Sequence, residues 1–262
     1  MVVYEQIGKG YDLTRRADPY IVSRLNHYLR VNARSSYLDV ACGTGNYTLA
    51  LSDLGGTWHA LDHSARMIDA ARSKNNSVFW QLADVTGLPY RENTFSGVVC
   101  TLAIHHFPSL PPAFSEIYRV MAEGNFVIFT STPEQTGRYW LAEYFPEAIS
   151  KSAEQMPSLA ALDSALSGAG FQLIKTEDYS VSEDLQDFFL YSGKYRPAIY
   201  LEPAVRSGIS TFTLLASEKE IEAGCSRLES DIKSGRIIDV VKKYEHTGGD
   251  YKFVIAHKKD AA

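Results

Sequence analysis

The sequence predicts a doubly wound α/β fold, a mainly parallel sheet covered by helices on both faces. Three observations carry the prediction. Short apolar runs alternate with helical stretches from residue 19 to residue 130, and such alternation builds right-handed βαβ units. The first apolar run passes directly into Cys42-Gly43-Thr44-Gly45 and then into a helical stretch. The run from Ser96 to Leu102 reads as a continuous buried strand, as expected of a sheet covered on both sides.

Taken in order, Asp18-Pro19 opens a helix, with Asp as N-cap and Pro at the first helical position. Ile21, Leu25 and Tyr28 then share one face. Tyr37 to Ala41 is the first strand, and the helix after the glycines runs through Leu51 to a stop at Gly55-Gly56. Trp58 to Leu61 is a strand, Ser64 to Arg72 a helix with Met67, Ala70 and Ala71 inward, and Val78 to Leu82 a third strand. After the fourth strand, Phe114, Ile117, Tyr118 and Met121 stripe a helix that leads to a fifth strand, Asn125 to Thr130.

The pattern then changes. Pro133 to Pro157 is rich in aromatics without a clean period. Leu159, Leu162 and Leu166 mark a helix ended by Gly168-Ala169-Gly170, and Phe171 to Val181 reads as a sixth strand. A long segment, 182 to 249, precedes a last strand at Tyr251 to Ala256. Within it Ser217 and Glu220 match a capping box, followed by Ile221, Cys225, Leu228 and Ile232 on one helical face. The chain is therefore expected to be one domain over 1–262, with a helical insertion between strands six and seven. No internal repeat or low-complexity linker interrupts it.

Composition narrows the function classes. With 45% hydrophobic and 22% charged residues among 262, there is ample apolar mass for a full core. Thirty-one acidic against 26 basic residues leave a net charge of −5, and no basic run exceeds two residues, which argues against a nucleic-acid partner. The N-terminus lacks the basic flank and apolar core of a signal peptide, and no apolar run reaches the roughly 20 residues that span a bilayer. The expectation is a cytoplasmic protein without membrane attachment, monomer or homodimer. Cys42, Cys100 and Cys225 are widely spaced with no C-x-x-C pair, so neither a metal site nor a disulfide framework is expected.

The informative unit is Tyr37 to Thr48. A buried strand ending in a glycine turn that opens a helix is the geometry of a nucleotide-type cofactor site. Asp62, seventeen residues after Gly45, falls at the end of the second strand, where a carboxylate accepts from ribose hydroxyls. Thr48 stands where the dinucleotide fingerprint has its third glycine, and Asp39 precedes the turn, an unhelpful position for a carboxylate if a phosphate is to bind. A cationic sulfonium bearing an ammonium group meets no such repulsion. Asp84 closes the third strand with another carboxylate. Two alternatives stay open: a nicotinamide-dependent oxidoreductase, which Thr48 and Asp39 count against, and a non-catalytic subunit that binds the same cofactor.

Asp39-Val40-Ala41-Cys42-Gly43-Thr44-Gly45 resembles motif I of class I S-adenosylmethionine-dependent methyltransferases, particularly the group around the ubiquinone/menaquinone and biotin-pathway enzymes. Ala83-Asp84-Val85 with Leu88-Pro89-Tyr90 resembles the adenine-binding strand end of that group. Phe95 to Val99 through His105-His106-Phe107 resembles its fourth-strand motif, and Glu116 to Met121 the helix before strand five. The resemblance covers residues 4 to 131 and a last strand at the C-terminus. The sequence departs from it at Ser96, often Asp in the family, and at Glu123-Gly124-Asn125, which replaces a Pro-Gly-Gly turn.

The resemblance implies a Rossmann-like, seven-stranded sheet whose last strand is antiparallel and inserted beside the fifth. It implies S-adenosylmethionine as cofactor, with Tyr11, Asp39, Ala41, Gly43, Gly45, Asp62, His63, Met67, Asp84, Val85 and Thr101 in contact with it. Tyr4 and Tyr11-Asp12 to Arg16 resemble a segment that folds over the cofactor. Arg16, or else Arg15, is expected to pair with the methionine carboxylate. Residues 1–34 would then form this covering segment, 35–131 the cofactor-binding core, and 132–170 with 182–249 helical elements that cap the substrate.

Methyl transfer from a sulfonium depends mainly on alignment and water exclusion. A base is needed only where the nucleophile must lose a proton. His105 and His106, at the expected methyl end, are the candidates, His106 ahead; Cys42 is expected to be a small packing residue. The acceptor is expected to be a small molecule, lodged in a pocket lined by Tyr139, Trp140, Tyr144, Tyr191 and Tyr195 from the insertions over the site mouth.

Overall fold

In the computed structural model, which describes residues 11–259, Asp18 starts the first long helix as its sequence signal predicts. Its Oδ1 accepts from the backbone N–H groups of Tyr20 and Ile21 at 3.0 and 3.2 Å, and Pro19 takes the first helical position. A one-turn helix α1 (Tyr11–Thr14) precedes this helix, α2 (Pro19–Leu29). Five strands and three helices follow: β1 (Ser36–Val40) and α3 (Asn46–Ser52), β2 (Thr57–Asp62) and α4 (Ala65–Lys74), β3 (Phe79–Leu82), β4 (Phe95–Thr101) and α5 (Leu110–Val120), and β5 (Met121–Thr130). Tyr4, expected in the covering segment, lies outside the described residues.

Beyond β5 the chain forms α6 (Pro133–Thr136), α7 (Pro146–Gln155) and α8 (Leu159–Ala169), then β6 (Gln172–Tyr179). The long insertion carries α9 (Pro203–Ser207), α10 (Glu218–Ser234) and α11 (Ile237–Lys243), and β7 (Tyr251–Lys258) closes the sheet. The strand order is β3-β2-β1-β4-β5-β7-β6. All pairings are parallel except those of β7, which runs antiparallel between β5 and β6. The doubly wound, seven-stranded sheet with an inserted antiparallel strand is therefore present as expected.

Side-chain alternation sends successive residues of each strand into different cores. Tyr37, Val99, Val127, Phe129, Phe253 and Ile255 face a core completed by α2, α3 and α4. Leu38, Val40, Val98, Cys100, Phe126, Ile128 and Val254 face one completed by α5 and α8. The placement of α8 narrows the cap expected over 132–170. Its buried Leu162 and Leu166 join Phe114 and Ile117 of α5 beneath the sheet, so α8 is a covering layer of the core.

The two departures from the family pattern lie against each other. Gly124 holds φ +155°, and a Cβ there would come within 2.0 Å of the Ser96 carbonyl oxygen, where the β4–β5 register shifts between Phe95 and Gly97. The expected Ser217–Glu220 capping box is only half formed. Ser217 accepts from the Glu220 N–H, but the Glu220 carboxylate reaches the N–H groups of Glu147 and Ala148 at the start of α7. A full capping box forms instead at Thr132 and Gln135.

Candidate functional site

From β1 the chain steps to β2 and β3 on one side and then returns to β4 on the other, leaving a crevice outside the carboxyl ends of β1 and β4. The loop that lines it is built from left-handed residues: Ala41 at φ +56°, Gly43 at +57° and Gly45 at +77°. Leu102, just past β4, holds φ +55°. Non-glycine residues in this region are sparse and gather at functional sites. At Gly45 a Cβ would sit 2.3 Å from the Trp80 ring, so the glycine is needed for the loop to pass. Gly45 lies behind the residues that wall the cavity and packs against the Trp80 ring.

The three carboxylates of the motif differ in condition. Asp62 is held by two backbone donors, Gly43 N–H on Oδ2 and Ser64 N–H on Oδ1, both at 2.9 Å. Each oxygen keeps lone-pair capacity for a ligand. Asp39 is 2% exposed; its Oδ2 accepts from Thr48 Oγ1 at 2.6 Å, while its Oδ1 is buried with no partner. Burial pushes the Asp39 carboxyl up to about 7, against the Thr48 hydrogen bond. Thr48, the residue in place of a third glycine, thus serves the carboxylate. Asp84 accepts from the Thr86 hydroxyl and N–H through Oδ1, and these bonds hold it below the usual carboxylate range.

A single cavity of about 450 Å³ gathers Tyr11, Asp39, Ala41, Gly43, Asp62, His63, Met67, Asp84, Val85, Thr101, His105 and His106. The sequence singled out each of these twelve. Arg16 is not among them: it is exposed, and Arg15 points inward. Arg15 Nε lies 2.5 Å from Asp187 Oδ1, Nη2 lies 3.3 Å from Oδ2, and Nη1 donates to the Gly208 carbonyl at 3.3 Å. Burial opposes the Arg15 charge, but Asp187 beside it raises its pKa above the ordinary guanidinium value. Tyr47 Oη donates to the same carboxylate at 3.1 Å. Just past the one-turn helix α1 no periodicity separates two adjacent arginines; only the distant Asp187 does.

The same segment is fastened on its other side. Lys74 Nζ donates to Asp12 Oδ1 at 2.7 Å, to the Thr44 carbonyl at 2.9 Å and to Asn46 Oδ1 at 2.8 Å, and Thr44 Oγ1 donates to Asp12 at 2.6 Å. Residues 11–18 therefore lie across the glycine loop.

His105 and His106 occupy a single turn after Leu102, with ring centroids 3.9 Å apart. Burial holds His105 well below the usual imidazole value, helped by His106. Burial and then the nearby His63 bring His106 down to about 4. Both rings are neutral near pH 7, and Nδ1 of His105 is buried without a hydrogen-bond partner.

The expected acceptor aromatics are elsewhere. Tyr139 stacks on Tyr191 at 3.9 Å and 9°, and its hydroxyl donates to the Asp250 carbonyl. Trp140 meets Tyr144 and Tyr200 edge-on, and Tyr144 Oη donates to Asp231. All four are fully buried in the core beneath the cap, while Tyr195 is 48% exposed. None of the five lines the cavity. Large rings with their hydroxyls satisfied by backbone and carboxylates pack as core, which corrects that assignment.

In their place the insertions contribute Ser152 of α7 and Met156 just after it, Asp187, Phe189, Leu190, and Gly208 to Thr211, with Tyr251 from β7. The sequence singled out none of these residues for the site, since the segment around Ser152 has no clean period and the loop residues had no local signal. Among the described residues no cluster of metal-ligating side chains occurs, and no helix is long and apolar enough to cross a membrane.

The methyltransferase-domain family matches residues 38–129. A demethylmenaquinone methyltransferase of Oceanobacillus iheyensis is 27% identical over 180 residues, 58% of this chain and 76% of that protein. A malonyl-[acyl-carrier protein] O-methyltransferase of Enterobacter lignolyticus is 32% identical over 164 residues, spanning 60% of this chain and 61% of that one. A crystal structure from Anabaena variabilis, described as a methyltransferase from an antibiotic biosynthesis pathway, superimposes with a TM-score of 0.84 at 29% identity. It covers 94% of this chain and 99% of its own.

Proposed function

The chain belongs to the class I S-adenosylmethionine-dependent methyltransferases, and on that premise we propose that it transfers the cofactor's methyl group to a small-molecule acceptor by in-line displacement. The observation that carries this reading is the pairing of Asp62, oriented by two backbone N–H groups, with Asp39, whose buried Oδ1 has no partner. An unpaired buried carboxylate oxygen favours a cationic ligand and disfavours a phosphate. That fits S-adenosylmethionine and counts against the nicotinamide alternative.

Bound here, S-adenosylmethionine supplies an electrophilic methyl group on a sulfur that departs as a neutral thioether. The chain's own residues then hold and orient. Asp62 takes the ribose hydroxyls and Asp39 the ammonium side of the methionine moiety. Asp84, with Oδ2 not engaged by Thr86, faces the adenine amino group between Val85, Met67 and His63. Arg15, rather than Arg16, reaches the cavity wall, where Asp187 holds it. Tyr11 and the segment fastened by Asp12 and Lys74 exclude water, so the reacting groups stay aligned. His105 accepts the acceptor's proton where one must leave, being neutral and unpaired at Nδ1; His106 packs against it.

The cap is assigned to α7, the 187–190 loop and the 208–211 turn, and the protein to the cytoplasm. The relatives' names give two acceptor chemistries, a demethylmenaquinone and a malonyl-[acyl-carrier protein]. Calorimetric titration tests the proposal. Heat is expected with S-adenosylmethionine and S-adenosylhomocysteine and none with NADH. Folded protein that gives no heat with either adenosyl compound overturns it.

A further inference from the structure

We propose that the acceptor is an uncharged, largely apolar molecule carrying a hydroxyl group, and that carboxylates and phosphates are rejected. The inference rests on the methyl-transfer reading and narrows it. Beyond the three motif carboxylates, the cavity is walled by Phe107, Met156, Phe189, Leu190 and Ile209, surfaces that favour apolar area. Hydroxyls supply the polarity of this half. Ser152 Oγ and Thr211 Oγ1 lie 3.0 Å apart on facing segments, and Ser131 Oγ lies 2.9 Å from Thr136 Oγ1. A hydroxyl both donates and accepts, so each pair can open to take a neutral hydroxyl without stranding a charge.

The charges in this half cancel. Arg15 is the one guanidinium or ammonium among the described residues that line the cavity, and both of its carboxylate contacts go to Asp187, which is 1% exposed. An anionic acceptor would either pull Arg15 from Asp187, leaving a buried carboxylate without its counter-ion, or remain unpaired itself. Each outcome is strongly unfavourable in a water-poor site. Asp39, Asp62 and Asp84 along the same cavity add further repulsion. His105 and His106 supply no compensating charge, because burial keeps them neutral, and His63 lies beside Asp62 at the other end. An ammonium acceptor would lose its hydration without finding a free carboxylate in this half, since Asp187 is engaged by Arg15 and Tyr47.

The test uses protein saturated with S-adenosylhomocysteine and three probes of matched size: 2-naphthol, 2-naphthoate and 2-naphthylmethylammonium. At pH 8, 2-naphthol is expected to bind at least about tenfold more tightly than either charged probe. Met156→Lys, which places a cation in the apolar wall, is expected to raise naphthoate affinity about tenfold relative to naphthol. Naphthoate binding as tightly as naphthol, or no saturable naphthol binding, overturns the inference. A preceding titration with S-adenosylhomocysteine separates the failures. Absence of that binding sinks the methyl-transfer reading, whereas normal binding with naphthoate preferred sinks only the acceptor class.

Discussion

Arg15 and Asp187, 172 residues apart in the chain, form a buried two-contact ion pair that joins the N-terminal segment to the loop after β6 at the wall of the cavity. Removing one partner leaves the other charge buried. Arg15→Ala or Asp187→Ala alone is therefore expected to cost about 3–5 kcal/mol of stability in urea unfolding. The double replacement Arg15→Met with Asp187→Leu should recover most of that loss. If the double variant is as unstable as the sum of the singles, the pair is not the origin of the effect.

Asp39 gives the cofactor site a pH dependence. Its folded pKa of about 7 exceeds the ordinary carboxyl value of 3.8, so the native state holds the proton that the unfolded state has released between these values. Stability without ligand should fall as pH rises from about 4 to 7, by roughly 1–4 kcal/mol, and Asp39→Asn should remove most of this slope. Binding runs the other way. A cationic ligand prefers the ionised form, so S-adenosylmethionine affinity should tighten as pH rises through about 7, and Asp39→Asn should lose that dependence. Calorimetry at pH 6 and 8 on both proteins checks the sign.

His105 should leave a kinetic trace distinct from that of Asp39. Once an acceptor is found by a labelled-cofactor metabolite screen, His105→Gln is expected to lower kcat by about 10²-fold or more, with cofactor affinity unchanged. Because both histidines are neutral well below pH 6.5, kcat should show no acid limb near that pH. A limb at 6.5 that disappears in His106→Gln would transfer the role to His106.

The aromatic cluster of the cap predicts a separation of stability from chemistry. Trp140→Ala should cost about 3–5 kcal/mol of stability, the range for truncating a buried ring. Tyr191→Phe, which removes only the hydroxyl that accepts from the Trp140 N–H at 3.4 Å, should leave turnover unchanged. Lost turnover in a stable Tyr191→Phe protein would put the ring back in the acceptor site.

These cases show what could be read from the sequence. Strands buried on both faces and helices with a single apolar stripe carry their signature locally, which is why every predicted strand from Tyr37 to Tyr251 is found. The cofactor loop was equally legible, since Asp39, Gly43, Asp62 and Asp84 sit at strand ends fixed by that periodicity. The cap was not. Tyr139 and Tyr191 are recognisable as core only once they are seen stacked, and Arg15 differs from Arg16 only in having Asp187 opposite. Glu220 has the spacing of a cap for its own helix yet serves the start of α7. Contacts closed over such sequence distances leave no mark on the residues near them.

The insertion of β7 has a consequence for how the protein is made. Among the described residues β6 pairs with β7 and with no other strand, so during synthesis Gln172–Tyr179 emerges long before its partner and waits through some seventy residues of helical insertion with both edges open. An unpaired edge of this kind invites association with another chain. It is closed only when Tyr251–Lys258 threads between β5 and β6, and Tyr251 completes the cavity wall in the same event. Ribosome-bound chains halted before residue 251 should be recognised by chaperones and unable to retain the cofactor, with competence gained in one late step.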